Sequence, residues 1–144
     1  MTDTTDATTT TAATGRLQIG LLVLRITTGL FFLVWSIDKI VKSGHTVKVF
    51  KKFYMMEIST QVALGLGVVQ TLVVVAFIVG LFRTWTTGLL LAMHTVSVAS
   101  TWARLIDPYN TQLLFWAGVP VWAGLLLLWL VRDQDTLWTV GGKG

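Results

Sequence analysis

The amino-acid sequence predicts an all-α integral membrane protein: an antiparallel bundle of four transmembrane helices behind a disordered N-terminal tail. Three observations carry this. More than half of the 144 residues are apolar and only 12% are charged, about half the charged fraction of a typical soluble domain. Four stretches approach the ~20 mainly apolar residues that a helix needs to cross a bilayer. Tryptophans gather at the ends of those stretches, where amphipathic rings sit at headgroup level.

Residues 1–15 are mostly Thr, Ala and Asp. They hold too little apolar surface to bury, so a disordered tail is expected. The tail is acidic, unlike the basic start of a signal peptide, and the first apolar run is expected to stay as an anchor. The transmembrane domain covers 16–133. Its first span, 17–36, contains one charge, Arg25. The second, 61–82, and the fourth, 113–131, contain none. The third, 84–105, holds His94 centrally and Arg104 at its end. A short C-terminal tail, 134–144, follows.

Four buried helices of a water-soluble bundle would carry polar residues along one face of each helix. The runs Leu72–Val79 and Leu125–Val131 have no polar face, which favours lipid as the solvent. Trp35, Trp102 and Trp116 fall at one side of the proposed membrane, and Trp85, Trp129 and Trp138 at or near the other. Only Trp122 is near mid-span. Short links after the second and third spans imply antiparallel neighbours with both termini on one side. Small residues at four-residue spacing, such as Ala63, Gly67 and Thr71, permit close helix contact.

The long loop 37–60 is the basic region of a chain with net charge +4. Lys48, Lys51 and Lys52 share one helical face, while Val47, Val49, Phe50, Phe53 and Tyr54 cover most of the other. This pattern suits a short interfacial helix whose lysines contact lipid headgroups. Anionic lipid or a partner subunit explains the basic charge better than nucleic acid does. The loop side carries six Lys or Arg against four on the side of the termini. That margin leaves the orientation open under the positive-inside rule.

Chemistry-bearing residues are few. There is no cysteine, so disulfides, thiolate chemistry and cysteine-held clusters are excluded. Two histidines, one of them in the loop, make neither a metal centre nor bis-histidine haem ligation. No catalytic residue is assigned. Arg25, Gln70 and His94 each lie near the middle of a span, and antiparallel helices would bring them to similar depth. An arginine at the bilayer centre costs about 2.5–3.5 kcal/mol or more unless it is compensated. No Asp or Glu lies within a span core, so Gln70, His94 and backbone carbonyls are the expected acceptors. Three readings stay open: a structural lock, a ligand site for a quinone carbonyl or small anion, and snorkelling toward a membrane face.

The chain resembles the DoxX family of small membrane proteins. The residues that carry the resemblance are Arg25, Gly29, Phe32 and Lys39, then Ala63-Leu64-Gly65-Leu66-Gly67, then Gly80-Leu81-Phe82-Arg83. The resemblance is clearest over residues 24–91 and runs more loosely through the fourth span. Where the family often has a glutamate in the second span, this chain has Gln70, which removes a charged partner for Arg25. The resemblance implies a four-helix, multi-pass protein of the bacterial cytoplasmic membrane, with some relatives linked to quinone-dependent oxidation. It points to a membrane subunit of a quinone-linked redox complex, with no covalently bound cofactor and quinone as the ligand. The alternatives are a non-catalytic accessory or structural subunit and a small-solute transporter, the last disfavoured by size and by the absence of broken-helix signals. Expected partners are the bilayer, subunits of a redox or other membrane complex, and a second copy of the chain.

Overall fold

The computed structural model describes the backbone of residues 3–110 and 112–141, with side chains from residue 14 onward. Its elements are α1 (Asp3–Val41), α2 (Ser43–Val49), a π-helical turn (Phe50–Tyr54), α3 (Thr60–Ile78), α4 (Arg83–Ser100), α5 (Trp102–Ile106), a 3₁₀ turn (Leu113–Ala117), α6 (Gly118–Leu130) and a second 3₁₀ turn (Arg132–Gln134). No strand occurs among the described residues. Residues 1–2 and 142–144, with Lys143 of the charge comparison, lie outside them.

Three helical stretches are long and apolar enough to cross a membrane: Thr14–Val41, Thr60–Ile78 and Leu113–Leu130. The proposed third span is different. α4 carries Arg83, His94, four threonines and two serines in 18 residues, which keeps its hydropathy below that of the other three. It is not one helix over 84–105 either, because α4 ends at Ser100 and α5 begins at Trp102. Hydroxyls at the break bond back to the chain: Ser100 Oγ to the Ser97 carbonyl at 2.8 Å and Thr101 Oγ1 to that of Val98 at 2.9 Å. Such bonds compete with the helical ladder and favour a bend.

The N-terminus also departs from expectation. From Asp3 the Thr-rich segment continues α1 instead of forming a separate irregular tail. Extending a helix that the apolar span has already nucleated costs far less than starting one. The fourth span opens with its 3₁₀ turn because Pro120 has no N–H to bond back four residues, and the regular helix starts only at Gly118.

α1 packs chiefly on α3 and α4 on α6, with α3 against α4 and α1 against α6. Leu21, Phe32, Val74, Phe77, Leu90 and Leu125 form the centre of the core. α3 explains the missing hydropathic periodicity. Its buried residues are Ala63, Gly67, Gln70, Val74 and Phe77, the alternating three- and four-residue spacing of a packed seam. The opposite face exposes Val62, Val69, Leu72 and Val75. A helix that buries a glutamine and small residues while presenting aliphatics outward is built for an apolar surrounding. With Trp85 and Trp138 about four-fifths exposed at one end, the chain has the character of a multi-pass membrane protein.

Glycines set the α1–α3 approach. A Cβ on Gly29 would overlap Ile78 Cγ1, and one on Gly67 would meet Ile40 Cγ1 and Lys39 Cβ, both at 2.9 Å. Gly80 ends α3 in the left-handed region at φ +70°. Its N–H bonds the Phe77 carbonyl at 3.0 Å and the Leu81 N–H bonds that of Ala76 at 2.8 Å, the paired bonds of a Schellman cap. A Cβ there would also lie 2.7 Å from Thr139 Cγ2. Gly80→Ala is therefore expected to cost about 1–2 kcal/mol from the backbone conformation, and more from the contact. Detergent unfolding curves check this; an unshifted midpoint would mean that the turn does not need glycine.

Candidate functional site

The most highly constrained polar cluster lies where the C-terminal segment folds back onto α1 and α4. After α6, the 3₁₀ turn at Arg132–Gln134 redirects the chain. Trp138 at φ +50° and Gly141 at φ +128° carry it on. The segment is tied to the bundle by the Val140 N–H on the Val79 carbonyl at 2.9 Å and by Gln18 Nε2 on Thr136 Oγ1 at 3.0 Å.

This fold-back delivers a carboxylate to Arg25. Arg25 Nη1 lies 2.6 Å from Asp135 Oδ2, and the two residues are only 1% and 4% exposed. Arg25 Nη2 donates to the carbonyls of Leu137 at 2.7 Å and Trp138 at 3.2 Å. Arg83, also buried, donates to the Arg132 carbonyl at 3.0 Å and to the Asp135 carbonyl. One carboxylate, held by Arg25 alone, and four backbone oxygens thus serve two guanidiniums, so carbonyl dipoles offset the excess positive charge. Within the ion pair, Arg25 Nε and Asp135 Oδ1 remain without a hydrogen-bond partner. The expectation that Arg25 lacks a carboxylate is corrected: the acid comes from beyond the spans, in the tail that follows the fourth.

Gln70 and His94 are placed elsewhere. Gln70 sits on the buried seam of α3. The Gly29–Ile78 and Gly67–Ile40 approaches fix the relative heights of α1 and α3. At 1.5 Å per residue, Gln70 is then about 18 Å along the axis from Arg25. His94 Nε2 lies 2.9 Å from the Gly118 carbonyl. A carbonyl only accepts, so Nε2 carries a proton and donates it. Phe31 and Phe32 present their rings edge-on to the imidazole, with centroids 6.1 and 5.2 Å away. The three residues read as one polar layer therefore form no single cluster. Near His94, the mid-span Trp122 donates its Nε1 hydrogen to Thr95 Oγ1 at 2.9 Å.

The basic loop keeps its two faces. Lys48, Lys51 and Lys52 are exposed, while Val47, Val49, Phe50, Phe53 and Tyr54 are half-buried. Phe53 packs on Phe115 at 5.7 Å between centroids, and Phe50 on Tyr54 at 4.9 Å. Lys51 pairs with Glu57 at 2.7 Å in the open, where such a bridge contributes little. If the lysine face meets anionic headgroups, Lys48→Gln, Lys51→Gln and Lys52→Gln should each weaken vesicle binding of the loop peptide by about 1 kcal/mol at low salt. Unchanged partitioning of the triple variant would remove the electrostatic role.

Among the described residues no three of His, Cys, Asp and Glu come together as a metal site. Compared with family models, curated proteins and solved structures, the chain matches none. Sequence reasoning missed Asp135 and the inward role of Arg83. The available signal was the need of Arg25 for an acid, with Asp133 and Asp135 the nearest acids after the last span.

Proposed function

We propose that the chain is a four-span, antiparallel protein of the bacterial cytoplasmic membrane that serves as a non-catalytic subunit of a larger quinone-linked redox assembly. The observation that carries the non-catalytic reading is the engagement of Arg25: its guanidinium is held by Asp135 and two carbonyls of its own chain. The residue best suited to hold a ligand oxygen instead locks the bundle. The redox association rests on the DoxX resemblance. The Gly29–Ile78 and Gly67–Ile40 approaches support antiparallel α1 and α3. The buried polar face of α4, shielded by its neighbours, supports a fourth span despite its lower hydropathy.

Purification from native membranes in mild detergent is expected to retain a larger redox partner, and the chain alone is expected not to bind quinone. Saturable one-to-one quinone binding by the isolated chain, lost in Gln70→Leu or His94→Ala, would overturn the reading in favour of a quinone site. Topology is tested separately, since the chain has no native cysteine. Lys51→Cys and Val140→Cys should react with an impermeant thiol reagent from opposite sides of the membrane. Labelling of both from one side would reject four spans.

A further inference from the structure

We propose that the outer seam between α1 and α6 is a binding site for one anionic phospholipid, its headgroup at Arg16 and an acyl chain along the groove. A hollow of about 650 Å³ opens there, with Arg16 at one end and Gly20, Leu24, Thr27 and Leu127 among its walls. A second hollow of about 270 Å³ adjoins it, sharing Leu24 and Thr27 and reaching Phe31 and Pro120. Together they follow α1 from residue 16 to residue 31, about 22 Å at 1.5 Å per residue. That length is more than one leaflet's half of a ~30 Å hydrocarbon core, enough for an acyl chain that starts in the headgroup region.

The walls suit hydrocarbon. Thr27 has its hydroxyl turned to its own helix, donating to the Val23 carbonyl at 2.8 Å, so it asks nothing polar of an occupant. Gly20 faces the open hollow, since a Cβ there would meet nothing within 4 Å. Arg16 is exposed at the mouth, where the first apolar helical stretch begins, and has no ion-pair partner among the described residues. A guanidinium pairs well with phosphate, and at this position it would meet a lipid phosphate while the tail lies in the groove.

The test titrates the purified full chain in detergent with phosphatidylglycerol and, in parallel, with phosphatidylcholine, counting bound lipids by native mass spectrometry. The wild type is expected to hold one phosphatidylglycerol in preference to phosphatidylcholine. Arg16→Gln should weaken that preference about five-fold, the effect of one basic residue near the surface. Gly20→Phe should abolish the adduct by filling the groove, and Leu127→Trp does the same from the α6 wall if the first variant misfolds. Equal retention of the two lipids by the wild type, or an undiminished adduct in a folded groove-filling variant, would overturn the site. Conversion of a dimer to a monomer by Gly20→Phe would assign the groove to a second copy of the chain and also reject the proposal.

Discussion

Asp135→Ala is expected to destabilise the protein by about 3–5 kcal/mol, the cost of breaking a buried ion pair from one side. It would leave the Arg25 guanidinium, only 1% exposed, with two carbonyls and no counter-charge. It would also loosen the segment whose carbonyls serve both Arg25 and Arg83. The pair should behave as a unit. Arg25→Leu with Asp135→Leu together should cost far less than Asp135→Ala alone, because apolar replacement of a compensated buried pair is often near neutral. Reversible unfolding in mixed micelles measures both. A single variant within about 1 kcal/mol of wild type would mean that the pair contributes only as much as a surface bridge.

Gly29→Leu should be the next most damaging change. The new Cβ overlaps Ile78, and the rest of the side chain must displace the α1–α3 seam. Overpacking of this kind costs about 1–3 kcal/mol and occasionally more. Gly20→Leu, on the same helix but facing open space, is the control and should leave stability nearly unchanged. Gly29→Ala combined with Ile78→Ala should recover much of the loss, since the clash is with the Ile78 side chain. Equal stability of Gly29→Leu and Gly20→Leu would refute the close approach.

What the sequence made legible follows from which forces are local. Residues 61–82 read as a span because a charge-free run of that length has one low-energy home; α3 covers them as far as Ile78, where the Gly80 turn ends the helix early. Gly67 read as a contact residue because small side chains at four-residue spacing share a face, and it meets Ile40. The two faces of the 48–54 segment followed from helical spacing, although its second half is a π-helical turn. Asp135 was legible only as one of two acids after the last span that could serve Arg25. Hydropathy ends the fourth span at the first charges, and nothing local says that the chain then folds back onto α1. The common depth of Arg25 and Gln70 failed for a related reason. Spans were centred by composition alone, whereas the Gly29 and Gly67 contacts slide α3 along α1. The bend at Thr101 depended on whether hydroxyls bonded to their own helix or to a neighbour, which sequence does not specify.

The C-terminal segment is latched onto α1 through Arg25 and Asp135. A Gln18→Cys/Thr136→Cys variant tests it most directly, because those side chains are 3.0 Å apart and the chain has no other cysteine. In intact membranes, a short bifunctional thiol reagent should join the two cysteines within one chain. The yield should fall sharply when Asp135→Ala is added. Absence of the 18–136 link, or a link indifferent to Asp135→Ala, would contradict the latch.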